Sequence, residues 1–286
     1  MPPPPLVKRL KRLTVRHPVL GLRLAAVLGG LLAERSWWAP TRSDVAVLFA
    51  DSHPGRVARI QRRIAALELR NHAFGALLNK RGPEAALPLI RVAGAETILG
   101  LREQGVPVVV IFAHVGAVRS VSAALAKLGL PVSVAAARRP RRGGGDVRFH
   151  EVGGAASGAR FLREALRDLE AGRVVALAVD LPTPDQARHQ VPFLGRSVPA
   201  AAGPAILARM AGARVVPMTS RWLGASERIE VTVHPPLPVP AEADFEAALT
   251  GSAMRFFEGY VRANPGEVRK QYLERFLRAG PAARYT

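Results

Sequence analysis

Two side chains with acid–base chemistry follow strand-like apolar runs of this sequence. His114 comes directly after the run 106–113, and Asp180 comes directly after the run 173–179. In open α/β folds the carboxyl ends of parallel strands meet at one edge, where ligands bind. Histidine titrates near neutral pH and is the side chain most often used for proton transfer. The positions therefore place both side chains at the predicted ligand edge, although a strand-ending histidine alone is also compatible with a structural role.

A cluster of arginines follows a third strand-like run, 132–137. The cluster consists of Arg138, Arg139, Arg141 and Arg142. Guanidinium groups bind phosphate through paired hydrogen bonds, so such a cluster at the ligand edge predicts contacts with an anionic head group. A solvated surface loop is the alternative interpretation. The glycines that follow, 143–145, lack the Gly-Lys-Ser/Thr ending of a phosphate-binding P-loop.

Helix-like and strand-like patterns alternate from residue 94 onward. The predicted strands are 106–113, 132–137, 173–179, 214–221 and 228–233. The predicted helices are 96–104, 118–128, 158–170 and 199–210, and an amphipathic helix over 56–78 precedes them. Strands that alternate with helices of this length predict an α/β fold with a largely parallel sheet flanked by helices.

The overall charge is strongly basic. The 286 residues include 41 Lys and Arg against 22 Asp and Glu, a net charge of +19, which indicates an anionic partner. No recognition helix or aromatic platform accompanies the arginines, so we expect no nucleic-acid partner. Because the chain has no cysteine, thiol catalysis, cysteine metal sites and disulfides are excluded. The histidines lack metal-ligand spacing and no nucleotide fingerprint occurs, so we predict neither metal nor cofactor.

The first 35 residues change from basic to apolar. The basic residues Lys8, Arg9, Lys11, Arg12 and Arg16 precede the apolar run 19–33. This run is shorter than the roughly 20 apolar residues of a spanning helix, and no clean signal-peptide cleavage site follows it. We expect an interfacial helix on anionic lipid, with Trp37 and Trp38 at head-group depth. A soluble helix that caps the core is the alternative.

The expected organisation is a membrane-associating segment over 1–40 and a single α/β domain over 41–286. Four further segments besides His114 bear on its function. They are Asp180 after a strand, the turn Pro-Phe-Leu-Gly at 192–195, the strand Ala-Arg-Val-Val-Pro at 213–217, and Asn-Pro-Gly-Glu at 264–267. Together they resemble the bacterial lipid A late acyltransferases, the lauroyl and myristoyl acyltransferases of the lysophospholipid acyltransferase superfamily. The resemblance extends from about Gly94 to Phe276.

The resemblance implies a glycerolipid acyltransferase-like fold and a membrane-associated O-acyltransferase. Its donor would be a thioester of acyl carrier protein or coenzyme A, and its acceptor a hydroxyl of a glycolipid or phospholipid of lipid A type. Its partners would be anionic membrane lipids, at the cytoplasmic face of the bacterial inner membrane. In this family a strand-ending histidine is the general base, and an Asp or Glu five residues later orients it.

Carried over to this chain, His114 would be the base, and Gly116 would let the backbone approach the reacting carbonyl. The chain departs from the pattern at Arg119, which occupies the place of the carboxylate. An arginine cannot accept the hydrogen bond of an imidazole N–H. We therefore expect another carboxylate in this role, first Asp180, with Asp146 or Asp185 as lesser candidates. A catalytically inactive lipid-binding protein of the same fold is the alternative.

Overall fold

The computed structural model describes residues 5–35, 38–49, 52–136, 146–152, 157–180, 189–241 and 244–278. The helices are α1 (Pro5–Arg16), α2 (Pro18–Leu31), α3 (Arg42–Leu48), α4 (Pro54–Arg81), α5 (Ala95–Glu103), α6 (Ser120–Lys127), α7 (Ser157–Glu170), α8 (Gly203–Ala211), α9 (Phe245–Ala263) and α10 (Lys270–Arg278). The strands are β1 (Ile90–Ala93), β2 (Val108–Phe112), β3 (Val132–Ala136), β4 (Val147–Glu151), β5 (Val174–Ala178), β6 (His189–Phe193), β7 (Arg196–Ala200), β8 (Arg214–Trp222) and β9 (Ile229–Val233). Short 3-10 turns occupy Ala33–Arg35, Pro83–Leu89 and Pro265–Glu267.

Seven of these strands form one sheet in the order β1-β9-β8-β2-β5-β3-β4. All neighbouring pairs are parallel except β8 and β9, which pair antiparallel. The strands β6 and β7 form a separate antiparallel hairpin. The α/β class with a largely parallel sheet between helices is therefore confirmed.

The central strand β2 shows why the sheet is covered on both faces. All five of its residues are buried, and successive side chains of a strand point to opposite faces. Val108 and Val110 pack in the core that includes Leu125 of α6, whereas Ile111 packs in the core that includes Leu207 of α8. A continuous β-branched run of this kind is typical of a strand buried on both sides.

The hairpin corrects one prediction of the sequence analysis. The predicted helix 199–210 begins only at Gly203, because residues up to Ala200 belong to β7. The hairpin turn uses Leu194 and Gly195, both with positive φ (50° and 72°). The edge strands β1 and β4 were also missed, since neither is an extended apolar run.

The N-terminal segment forms two helices, α1 and α2, that pack against the long helix α4. The approach of α2 to α4 is close, because a Cβ at Gly29 would come within 2.6 Å of Cα of Ala66. Trp38 is only 6% exposed, so its predicted place at head-group depth is wrong, and Trp37 lies outside the described residues. None of the described helices has the length and hydropathy needed to cross a membrane.

The outward face of α2 is apolar. Its exposed side chains recur at steps of three and four residues, which is the spacing of one helix face: Leu20, Leu24, Val27 and Leu31. The opposite face carries Leu22 and Ala25, both fully buried. The helix thus buries one apolar face and leaves a second one open.

Candidate active site

His114 and Asp180 are in direct contact at the carboxyl edge of the sheet. The parallel register of β2 and β5 pairs Phe112 with Ala178, so the residues two positions further on lie side by side. The Oδ1 atom of Asp180 lies 3.0 Å from Nδ1 of His114, and Oδ2 accepts a hydrogen bond of 2.8 Å from the His114 backbone N–H. One carboxylate therefore fixes both the main chain and the ring of this histidine.

The two side chains differ in exposure. The Asp180 side chain is 3% exposed, whereas 25% of the His114 side chain is open to solvent. Because an ionised carboxylate only accepts hydrogen bonds, Nδ1 of His114 keeps its proton and donates a hydrogen bond to Asp180 Oδ1. No group in the described part of the chain hydrogen-bonds Nε2. The unprotonated Nε2 can therefore accept a proton from a bound molecule.

Tyr272 packs against the face of the His114 imidazole. Its ring stacks on the His114 ring with 4.8 Å between centroids and 20° between planes. Tyr272 belongs to α10 and is 1% exposed, so the ring is a rigid wall. The sequence analysis missed this residue, because a tyrosine in a C-terminal helix has no spacing relationship to a histidine 158 positions earlier.

Gly116 lies where three segments meet. Its backbone N–H donates to the Glu267 carbonyl at 2.7 Å, and its carbonyl accepts from Asn71 Nδ2 at 2.8 Å. Its φ is +59°, and a Cβ there would overlap the Ser220 carbonyl oxygen. Glycine is therefore required for backbone packing. The predicted approach of Gly116 to a reacting carbonyl stays a prediction.

Arg119 occupies the motif position of the carboxylate in the sequence, but Asp180 and not Arg119 contacts the His114 ring nitrogen. It lies at the N-terminus of α6, and its guanidinium lies against Gly75 of α4, where a Cβ would overlap Nη1. Partial removal from water lowers the pKa of Arg119, and the positive charge of Arg269 lowers it further. Asp180 therefore contacts the imidazole of His114, whereas the side chain of Arg119 points to α4.

The other predicted site residues have different outcomes. Asp146 lies before β4, at the opposite edge of the sheet, where it pairs with Arg173 at 2.7 Å. It is therefore too far along the strands to orient His114, and that lesser candidate is wrong. The remaining candidates, Asp185 and the cluster of Arg138, Arg139, Arg141 and Arg142, lie outside the described residues.

A second acidic side chain lies behind the His114 loop. Burial raises the pKa of Glu267 to about 7, although Arg70, Arg221 and Arg63 each lower it. Its Oε2 atom is buried without a hydrogen-bond partner among the described residues. The sequence analysis used Glu267 only as part of the segment 264–267, because burial and the resulting pKa shift depend on the packing of the fold. Within the described ranges, no group of three or more His, Asp or Glu residues could hold a metal ion.

Comparisons with known proteins give the family of this chain. The family model for bacterial lipid A biosynthesis acyltransferases matches residues 76–268, a range that includes His114, Asp180 and Glu267. A comparison with curated proteins gave no significant match. Among solved structures, the chain is similar to the crystal structure of the 1-acyl-sn-glycerophosphate (LPA) acyltransferase PlsC from Thermotoga maritima, at 13% identity and a TM-score of 0.40. That likeness covers 87% of this chain and 98% of the other.

Proposed function

Because this chain belongs to the bacterial lipid A biosynthesis acyltransferase family and is an acyltransferase, we propose that it transfers a fatty acyl group to a lipid hydroxyl at a membrane. The donor is a thioester of acyl carrier protein or coenzyme A, and the acceptor is a glycolipid or phospholipid of lipid A type. The observation that carries the proposal is the 3.0 Å contact between His114 Nδ1 and Asp180 Oδ1. It supplies the oriented imidazole that the reaction needs, despite Arg119 at the motif position.

The proposed reaction has His114 as general base and then general acid. Nε2 takes the proton of the acceptor hydroxyl while its oxygen attacks the thioester carbonyl carbon. The tetrahedral intermediate collapses, the carbon–sulfur bond breaks, and the leaving thiolate takes the proton from the imidazolium. The products are an ester and a free thiol. Asp180 stays ionised throughout, holds the tautomer and stabilises the imidazolium, as the carboxylate does in a Ser-His-Asp site.

Membrane association forms part of the same proposal. The exposed apolar face of α2 offers side chains for the acyl region of a bilayer. The exposed Lys8, Arg9, Arg12 and Arg16 of α1 lie next to it along the chain and favour anionic head groups. Since both candidate donors are cytoplasmic molecules, the proposal puts the protein on the cytoplasmic face of the bacterial inner membrane.

An acyl-transfer assay tests the function. Radiolabelled acyl carrier protein and acyl-coenzyme A thioesters are offered separately, with a total membrane lipid extract as acceptor. Wild type should label lipid with at least one donor, and His114→Ala should not. The matched control is His53→Asn, which removes an exposed histidine but keeps a good helix N-cap on α4, and it should retain activity.

The same assay distinguishes an active acyltransferase from a catalytically inactive lipid-binding protein of the same fold. A wild-type protein that is folded and binds lipid vesicles, yet transfers no acyl group from either donor, would be an inactive lipid-binding member of the fold. In that case Arg119 at the motif position would mark the loss of chemistry. Transfer that persists in His114→Ala would overturn the assignment of the base.

A further inference from the structure

A strongly basic cavity lies beside the His114 loop. It measures about 570 Å³ and lies between α1, α4 and the N-terminus of α6. Six cationic side chains line it: Lys11, Arg12, Arg16, Lys80, Arg119 and Arg269. No acidic side chain is among the lining residues. A cavity of this size is within the usual range of small-molecule sites.

Most of these cations form no salt bridge with the described residues. Arg269 pairs with Glu68, with 3.1 Å between Nη2 and Oε2. For the other five, the described residues provide no salt bridge. Several like charges around one cavity repel each other, and the repulsion grows as water is removed. An anion in the cavity would remove this repulsion.

Charges of both signs act on His72, which also lines the cavity. Burial lowers the pKa of His72 and the charges of Lys11 and Arg269 lower it further, whereas Glu68 raises it. Arg119 reaches the same cavity because Gly75 has no side chain in its way. The lack of a side chain at Gly75 therefore lets the Arg119 guanidinium line the cavity.

The cavity shares its walls with the catalytic site. Asn71 lines the cavity and also donates to the Gly116 carbonyl at 2.8 Å. Val268, the residue before Arg269, pairs with Val115 in an isolated β-bridge. Arg119 follows His114 by five residues, a separation of at most about 18 Å along an extended chain. The cavity therefore lies beside the loop that carries the imidazole.

We propose that this cavity binds the phosphate group of a substrate. Arginine forks match phosphate oxygens through paired hydrogen bonds, and lysines add compact positive charge. The phosphate belongs either to the acceptor lipid or to the donor, whose pantetheine carries phosphate as well. The assignment to a substrate rests on the proposed acyl transfer, whereas phosphate binding by the cavity does not.

Calorimetric titration of the full chain with inorganic pyrophosphate tests the site. The test variant is Arg12→Gln with Lys80→Gln, two exposed residues of the cavity. Its matched control is Arg56→Gln with Arg59→Gln, two exposed residues of α4 that do not line it. Loss of charge-assisted hydrogen bonds should weaken binding about tenfold or more in the test variant, and less than about threefold in the control. Equal affinities in both variants, or no binding by wild type, would overturn the proposal.

Competition then identifies the source of the phosphate. Phosphatidic acid in neutral detergent micelles and coenzyme A are each tested for displacement of pyrophosphate. Displacement by the lipid assigns the cavity to the acceptor, and displacement by coenzyme A assigns it to the donor. Displacement by neither would overturn the assignment to a substrate. His114→Ala should bind pyrophosphate like wild type, so that a failure of acyl transfer and a failure of this site give different results.

Discussion

Asp180 binds His114 through both of its carboxylate oxygens, one to the ring Nδ1 at 3.0 Å and one to the backbone N–H at 2.8 Å. The pair joins the ends of two neighbouring parallel strands, β2 and β5. In this chain the orienting carboxylate therefore comes from the next strand and not from the loop that follows the histidine. Arg119, at the motif position in that loop, does not contact the imidazole and instead lines the basic cavity.

We predict that Asp180→Asn lowers the rate of acyl transfer by roughly 10²–10⁴-fold. The His114 backbone N–H holds the single carbonyl oxygen of asparagine, so the amide NH₂ faces Nδ1 and cannot accept its hydrogen bond. The ring would then lose the tautomer that leaves Nε2 free of a proton. Steady-state transfer of labelled acyl groups measures the effect. Asp146→Asn is the control, because Asp146 pairs with Arg173 at the other edge of the sheet, and its rate should stay close to wild type. Similar losses in both variants would contradict the assignment.

The strands that bear this pair could be predicted from sequence, but their contact could not. The runs that became β2 and β5 are apolar and rich in β-branched residues, so the sequence indicated that both end near a ligand edge. Their adjacency depends on the strand order, in which β5 lies between β2 and β3. Sequence order gives no information about that crossover.

The cavity could not be predicted for a related reason. Its cations come from α1, the end of α4, the start of α6 and the residue before α10, and only the packing of these elements brings them together. In the sequence, the contiguous arginines 138, 139, 141 and 142 were the candidates for phosphate contacts, with a solvated loop as the alternative. The burial of Trp38 could not be predicted either, because it depends on the packing of the N-terminal helices and not on its position after an apolar run.

Gly116→Ala should destabilise the protein by about 3 kcal/mol or more. The new Cβ would overlap the Ser220 carbonyl oxygen, which is backbone and has no flexible end that can move aside. Gly129→Ala is the control, because Gly129 also has positive φ, at 71°, but has open space around it. It should lose only about 1–2 kcal/mol from the left-handed conformation. Urea unfolding of both variants measures the difference, and equal losses would contradict the packing argument.

Glu267 should make stability depend on pH. Its pKa is about 7 in the folded protein against 4.5 for an unperturbed glutamate, so the folded state binds the extra proton between these values. Its contribution to stability is therefore fully present below pH 4.5 and is lost as pH rises through 7. Glu267→Gln stays neutral at every pH. The free energy of unfolding of Glu267→Gln minus that of wild type should therefore increase by on the order of 3 kcal/mol from pH 4.5 to pH 8, because only wild type loses stability over this range.

Urea unfolding of wild type and Glu267→Gln at a series of pH values measures this difference. Glu258→Gln is the matched control, because Glu258 forms an i,i+4 ion pair with the exposed Arg262, and its difference from wild type should change little over the same range. A constant difference between Glu267→Gln and wild type would show that the buried carboxyl does not titrate in this range.

The exposed face of α2 should determine membrane affinity. In Leu20→Ser with Val27→Ser, two half-exposed apolar side chains of that face are lost, at 50% and 51% exposure. Each apolar side chain contributes on the order of 1 kcal/mol when it enters the acyl region, so the loss of both should weaken the affinity for phosphatidylglycerol vesicles, measured by sedimentation, about thirtyfold. The control is Met210→Ser with Val239→Ser, at 64% and 56% exposure on other elements. These residues lie outside α2, so their loss should leave vesicle binding near wild type. Equal weakening in both double variants would mean that general hydrophobicity, and not the α2 face, governs binding.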